Sequence, residues 1–456
     1  MTHDALASIW RSLGGNGDWT DLLRETGEGS LPSWFAVSDL AAASVGAAGL
    51  AVSEYLAARD GRRREVTVDR RLASLWFKGS AAPRGWEGPS VWDAVAGDYA
   101  TRDGWIRLHT NAPHHRRAAL AVLRVPPDRE AVARAVRGWE AEELEAAILA
   151  EGGAAAQMRT EAAWAGHPQG SAVAKEPLLR DEPPGEAGSL PAGPSDPARP
   201  LRGLRVLDLT RVLAGPVATR FLAGFGATVL RIDPPGWSEP AALLDVGLGK
   251  SCARLDLKAE DGKARLRELL AGADIVVHGY RPGALAGLGF DRETRQEIRP
   301  GLIDISLDAY GWTGPWYGRR GFDSLVQMSA GIAETGMRKS GADRPVPLPV
   351  QALDHATGYI MAAAAIRALT RRLATGGGTL ARASLARTAA LLTGLPAASP
   401  AEGFAPAGEG DFAEGIEETS WGPALRLKPP CAVAEARMGW DLPARDHGSA
   451  EAAWLE

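Results

Sequence analysis

The chain has 456 residues, too many for one ordinary domain and enough for two or three. Hydrophobic residues make up 45%, so a large core can form, and a formal net charge of -5 excludes a basic surface for nucleic acid. The 2 cysteines, Cys252 and Cys431, stand too far apart in sequence for a disulfide framework or a zinc site.

The opening MTHDALASIW lacks the basic-then-apolar layout of a signal peptide, and no apolar run approaches the ~18 residues that span a bilayer. The expectation is a soluble, cytoplasmic protein. Residues 1–31 are weakly patterned. Ser38 is placed to cap a helix whose Ala/Val/Leu run to Leu56 reads as buried, with Asp60-Gly61 as its stop and Glu65–Val68 as a strand. Asp98–Leu108 reads as a hairpin turning at Asp103-Gly104. Pro127–Glu151 reads as helix with a solvated charged face, and Gly166–Leu178 as a loop and short strand. Residues 180–200 are too rich in proline, glycine and serine to build a core, and they mark the main linker.

Leu201–Pro235 then reads as strand, loop, helix and strand, with Thr210–Gly215 as the loop and Pro216 in the first helical turn. Such a unit is a right-handed crossover that brings a loop and a helix N-terminus to the carboxyl edge of a sheet. Strands at Ser251–Leu257, Asp274–His278 and Leu302–Leu307 alternate with helices, so the fold class is α/β. The expected architecture is a Rossmann-like, doubly wound parallel sheet with a second, smaller α/β domain. Gly311–Gly321 is a loop, Asp323–Ala333 a helix, and RKSGADRPVPLPV an extended segment. Asp354 opens a long Ala-rich helix that ends near Gly376–Gly378. Asp39 and Asp354 each head such a helix, each followed by a Gly-bearing turn, a weak internal repeat. Residues 395–456 read as a tail folded over the surface.

Several residues are candidates for chemistry. The loop Thr210–Gly215 holds one glycine, so the GxGxxG fingerprint of a dinucleotide site is absent. Asp233 stands where an acid grips a ribose hydroxyl, and it is equally a solvated strand end. Lys250, Arg254, Lys258 and Arg281 serve a phosphate only if they converge in space; singly each is a surface charge. Tyr310 packs on a ligand ring or on the core. Asp354 is either an N-cap or a nucleophile stabilised by a helix N-terminus. His355 does not face it, because adjacent helix residues diverge, and no GxSxG supports a serine triad.

Residues 201 to about 390 resemble class III CoA-transferases, the group containing formyl-CoA transferase and carnitine CoA-transferase. The blocks that carry the resemblance are GLRVLDLTRVLAGPVATRFLAGFGATVLRIDPP, SCARLDLK, ADIVVHGYRPGALAGLGF, ISLDAYGWTGPWYGRRGFD and LDHATG, in that order. The N-terminal portion resembles the second half of that family, including GDYATRDGWIRL and TEAAWAGHPQGSAVAKEPL, so the chain looks permuted or fused. The implied divisions are 1–75, a small α/β domain at 76–180, a linker at 181–200, a CoA-binding domain at 201–395, and a tail at 396–456.

The resemblance implies that Asp354 is the catalytic nucleophile, forming an aspartyl-CoA thioester while CoA passes between carboxylic acids. Coenzyme A is then a substrate, and no metal or redox cofactor is required. The implied CoA contacts are Leu213, Ala214, Leu255, Asp256, Leu257, Lys258, Gly279, Tyr280, Arg281 and the Asp308–Gly311 loop with Tyr310. Several of these positions depart from the formyl-CoA transferase pattern: Leu213 stands for a glutamine, Gly279 for an asparagine, Pro234 and Gly287 for arginines, and Asp308 for a lysine. The related α-methylacyl-CoA racemase branch uses a histidine from a GHD triplet, which here is Gly321-Phe322-Asp323. A phenylalanine moves no proton, which weighs against racemisation. A non-catalytic CoA-binding homologue is the remaining alternative. Asp39 reads as a relic of the repeat, and a homodimer is the implied assembly.

Overall fold

The computed structural model describes residues 2–182, 196–400 and 403–455. In its first part α1 (Thr2–Ser12), β1 (Leu23–Thr26), α2 (Val37–Asp60), β2 (Val66–Asp69) and α3 (Arg70–Trp76) follow one another. β3 (Ala81–Pro83) follows in a sheet of its own with strands of the tail, and a small domain comes next, with β4 (Gly97–Ala100), β5 (Trp105–Leu108), α4 (Pro113–Leu123), α5 (Arg129–Val136), α6 (Ala141–Ala150) and β6 (Ala155–Gln157). Two short helices, α7 (Glu161–Gly166) and α8 (Pro168–Lys175), lead to β7 (Leu179–Glu182).

The larger part runs β8 (Arg205–Leu209), α9 (Ala214–Gly224), β9 (Thr228–Asp233), α10 (Pro240–Val246), β10 (Lys250–Arg254), α11 (Glu260–Ala271), β11 (Ile275–His278), α12 (Arg292–Ile298) and β12 (Ile303–Asp308). It continues through α13 (Asp323–Ser329), α14 (Ile332–Ser340), α15 (Ala352–Thr375), β13 (Thr379–Ser384) and α16 (Leu385–Thr393). The tail adds β14 (Glu417–Thr419), β15 (Gly422–Arg426) and β16 (Cys431–Val433).

The main sheet has 7 strands in the order β10-β9-β8-β11-β12-β13-β7, all parallel except the antiparallel edge strand β7. Its central strands are buried on both faces, as a sheet covered by helices on each side demands. Chain order reverses between β8 and β11, and the loops after those two strands meet at the carboxyl edge. The fold class is thus the α/β sheet read from the sequence.

The repeat is structural. Helices α2 and α15 are each 24 residues long. Their leading residues share one backbone shape: Ala36 has φ -74 and ψ 55, and Gln351 has φ -74 and ψ 65. Each helix stops at a left-handed glycine, Gly61 or Gly376, and each is followed by a strand and a short helix capped by a side chain, Asp69 or Ser384. The two long helices pack against one another and run the same way. Glu54 of α2 pairs with Arg367 of α15 at 2.7 Å near their ends, and the segments entering both helices line one small cavity.

The small domain packs its β6 against α13 of the same chain, with Ala154 and Ala156 on Leu325 and Met328. The Arg159 N–H donates to the Met328 carbonyl at 2.9 Å, and the Gln169 amide donates to the Tyr310 carbonyl at 2.8 Å. The tail is stitched to the beginning, β15 pairing with β3 and β16 with β2.

Several expectations are corrected. Ser38 does not cap α2: the cap position is Ala36, and the Ser38 hydroxyl instead accepts from the Leu31 N–H at 3.0 Å and from Ser74 at 2.8 Å. Residues 127–151 form two helices rather than one. Gly138 breaks them, which lets Trp139 pack against the small-domain core. Much of 166–178 is helix α8, because Pro168 stands at its first turn and the His167 ring caps it. The extended segment expected from Arg338 begins later, since α14 runs to Ser340, and the one helix expected over 323–333 is divided at the left-handed Gly331 into α13 and α14. The tail carries three strands. Helix Val37–Asp60 is long and apolar enough to cross a bilayer, contrary to expectation, but 89% of its most apolar stretch is buried inside the fold. Most of the expected linker, 183–195, lies outside the described residues.

Gly358 of α15 is where the two helices of the larger part come closest. A Cβ there would lie 2.4 Å from the Ala214 carbonyl oxygen of α9. Gly358→Ala is therefore expected to cost about 1–3 kcal/mol by overpacking, measured as a lower denaturant midpoint. Gly410→Ala, where a Cβ meets nothing within 4 Å, is expected to leave the midpoint near the parent's.

Candidate functional site

The site begins at the carboxyl end of β8. Asp208 is fully buried and accepts from the Thr210 N–H at 2.9 Å, the Thr219 hydroxyl at 2.6 Å and the Lys250 ammonium at 2.9 Å. Lys250 also donates to the Pro216 carbonyl at 2.8 Å, so one buried ion pair ties the loop to the first turn of α9. Opposing charge outweighs burial here and lowers the Asp208 carboxyl.

Asp354 lies in the first turn of α15 and does not cap it. The capping carboxylate is Asp323, at the start of α13, whose Oδ2 accepts from the N–H groups of Leu353 at 2.8 Å and Asp354 at 3.0 Å. The Gln327 amide donates to the other Asp323 oxygen, and the Gln327 carbonyl accepts from the Leu348 N–H at 2.7 Å. This network fixes the backbone of Asp354 and leaves its side chain uncommitted. Asp354 is 7% exposed, and no donor among the described residues reaches its carboxylate. Burial, then the charge of Asp323, pushes its proton affinity well above the ordinary carboxylate range. Asp323 is itself pushed up to about 6, by burial.

Asp354 and Gly358 share one helix face a turn apart, and Gly358 touches Ala214. The helix face that carries Asp354 is thus the face that packs on α9 at Ala214. His355 turns away, its ring stacked on Phe77 at 4.9 Å and its proton affinity lowered to about 3 by burial. The repeated aspartate differs: Asp39 is bound by Arg70 at 3.2 Å and by the Thr2 hydroxyl at 2.9 Å. Of the two helix-heading aspartates only Asp354 is unpaired.

Other candidates separate clearly. Lys258 and Arg281 are exposed at the ends of the loops after β10 and β11. Leu255 and Asp256 lie at the same edge, Leu257 is buried beneath them, and Gly279 and Tyr280 precede Arg281. Lys250 is consumed by Asp208, and Arg254 donates to the carbonyls of Pro234 and Trp237 at 3.1 and 3.0 Å. Asp233 is fully buried and held by Arg231 at 2.8 and 3.0 Å, so it is not a solvated strand end and offers nothing to a ribose. Tyr310 is also fully buried, edge-on to Trp316 at 4.9 Å, so its ring serves the core. Asp308 accepts from the N–H groups of Tyr310 and Gly311 at 2.8 and 3.1 Å and shapes that loop; burial pushes it up to about 7. Cys252 and Cys431 are buried thiols pushed up to about 11 and about 12.

Three groups escape a reading of the sequence. Arg211 lies between the rings of Trp237 and Tyr280, 5.2 Å from each, and brings a guanidinium to the loop after β8. His109, from the small domain, stacks face to face on Phe322 at 3.7 Å, and burial holds it at about 3, hence neutral. Asp323 stands out in the sequence only as part of a motif triplet.

Residues 201–419 match the family described as "CoA-transferase family III". Among curated proteins the chain is 37% identical over 193 residues to "Acetyl-coenzyme A transferase nodX" of Hypoxylon pulicicidum, covering 41% of this chain and 32% of that protein. It is 34% identical over 192 residues to "Probable fatty acyl-CoA transferase Rv3272" of Mycobacterium tuberculosis, covering 39% and 48%. It is 34% identical over 201 residues to "Succinyl-CoA:glutarate CoA-transferase" of Mus musculus, covering 41% and 46%. The chain thus spans less than half the length of each of these relatives. Against the crystal structure of Rv3272 it shows 33% identity and a TM-score of 0.40, over 42% of this chain and 56% of that one.

The raised proton affinity of Asp354 sets a pH dependence. The folded chain holds this proton more tightly than the unfolded chain does. The associated stability is complete below the ordinary carboxylate range and is lost as pH rises through the raised value. Asp354→Asn stays neutral throughout, so it is expected to melt above the parent at about pH 8, by roughly 1 °C per kcal/mol relieved. The gap should close toward about pH 3, as melting curves across that range will read.

Proposed function

Because residues 201–419 match CoA-transferase family III, we propose that this chain moves coenzyme A from an acyl-CoA donor to a carboxylic acid acceptor, with Asp354 as nucleophile. The observation that carries this is a buried carboxylate that no donor among the described residues reaches, on the helix face that packs on α9 at Ala214. A carboxylate so placed is poorly solvated, and a carbonyl carbon relieves it by accepting its electron pair.

An Asp354 oxygen attacks the thioester carbonyl, the C–S bond breaks, and a mixed anhydride and CoA thiolate result. The thiolate attacks the aspartyl carbonyl of the anhydride, releasing the donor acid and leaving an aspartyl-CoA thioester. The acceptor carboxylate attacks that thioester, expelling thiolate and forming a second anhydride. Thiolate attack on its acceptor carbonyl gives the new acyl-CoA and frees Asp354. Each step trades one activated acyl bond for another, so no metal or redox cofactor enters. The CoA contacts belong to Leu213, Ala214, Leu255–Lys258 and Gly279–Arg281, with Arg211 and the loop of Tyr310 beside them. The working assembly in this reading is a cytoplasmic homodimer.

A second reading has one observation in its favour. His109 brings an imidazole to Phe322, next to Asp323, so a proton could be moved at a carbon beside the thioester. Deuterium entering the acyl-CoA without CoA exchange would support that epimerase and displace the transferase.

Borohydride added during turnover should reduce an aspartyl thioester, and the peptide spanning Asp354 should change mass accordingly. Asp354→Ala should lower CoA exchange by at least about 10⁴-fold, the scale of losing a covalent nucleophile; retention of exchange would sink the mechanism. Attack needs the ionised carboxylate, so the exchange rate is expected to climb with pH through a value above the ordinary carboxylate range.

A further inference from the structure

The loop between β8 and α9 holds a non-glycine residue in a left-handed backbone: Val212 has φ 65. A β-branched side chain is crowded in that conformation and does not hold it unaided. The Val212 N–H donates to both oxygens of Glu239, at 3.0 and 3.2 Å. Glu239 stands just before α10, and its carboxylate is also paired with Arg231. Arg231 is fully buried on β9 and takes both oxygens of Asp233. His447 of the tail completes the group, 3.8 Å from Asp233. Asp233, Glu239 and His447 lie close enough to suggest a metal site. The guanidinium of Arg231 already occupies the space between the two carboxylates and pairs with both, so the cluster is an anchor for an arginine.

The other end of the loop is fixed independently. Thr210 is held by Asp208, and Gly215 is packed so closely on Thr210 that a Cβ would lie 2.3 Å from its Cγ2. Between these points Val212 takes the left-handed turn, and Ala214, two residues on, meets Gly358 of α15. We propose that Glu239 is a positioning residue for the transfer reaction: through the Val212 N–H it holds the loop in its left-handed turn, and Arg231 keeps the Glu239 carboxylate aimed at that N–H. This inference rests on the CoA-transfer reading of the site.

The test uses the full chain with Glu239→Ala, Glu239→Gln, Val212→Gly, and Glu239→Ala combined with Val212→Gly. CoA exchange and amide hydrogen exchange of the 210–214 segment are measured for each. Glu239→Ala is expected to lower kcat about tenfold or more, with KM for the acyl-CoA within about twofold, and to speed amide exchange in the loop. Glu239→Gln keeps an acceptor oxygen and should fall between Glu239→Ala and the parent. Val212→Gly alone should stay near the parent. Added to Glu239→Ala it should recover a large part of kcat, because glycine takes positive φ without crowding. A role confined to pairing Arg231 would not be relieved by that glycine, so a double variant no faster than Glu239→Ala overturns the proposal. So does a Glu239→Ala chain with parental kcat, or with parental loop protection. If the parent itself exchanges no CoA, the transfer reading fails, while loop protection still reports whether Glu239 holds Val212.

Discussion

Everything distinctive about the site depends on which carboxylate caps α15. Asp323 takes the two N–H groups at the start of that helix, Leu353 and Asp354, and so relieves Asp354 of the work its position invites. An aspartate in a first helical turn ordinarily satisfies its own helix, which lowers its proton affinity and spends its lone pairs. Here the lone pairs remain, the group is desolvated, and a second negative charge lies alongside. Two acids with pushed-up proton affinities so close together make this a candidate site for chemistry. The paired fate of Asp39 shows the contrast within one molecule: the same helix position, given Arg70 as neighbour, becomes part of the scaffold.

The main sheet and its edge are legible in the sequence because they are written locally. An apolar run, a loop punctuated by glycine and proline, and a helical period locate β8, α9 and β9 without reference to the rest of the chain. Asp354 is legible as a helix-heading acid for the same reason, but its freedom is not, since Asp323 arrives from 31 positions away. Asp233 carries a signal that is easily passed over: Arg231, two positions earlier on the same strand, shares its face. Arg211 stands inside the loop after β8, and only the fold sets it between Trp237 and Tyr280. The break at Gly138 and the helix start at Pro168 are both signalled by their residues and masked by longer patterns around them.

The chain joins two pieces that each contain the helix–glycine–strand–helix unit, and the pieces are not equivalent. The second builds a complete parallel sheet around its copy. The first contributes α2 as a packing partner for α15 and then a small domain that leans on α13. The surface that positions Asp323 is therefore buttressed by residues more than 150 positions earlier, such as Arg159 and Ala156. The sheet edge and Asp354 are built by one piece, while part of the wall behind Asp323 comes from the other.

The shared direction of α2 and α15 has an electrostatic consequence. Each helix is about 36 Å long at 1.5 Å per residue, and aligned peptide dipoles leave a partial positive charge at its leading end. Two such helices lying side by side in the same sense repel slightly and concentrate that positive potential at one pole of the molecule. Asp39 answers it at one helix and Asp323 at the other. At the head of α15 that partial charge meets two acids, Asp323 and Asp354, so it is offset within the fold rather than left for a further anion.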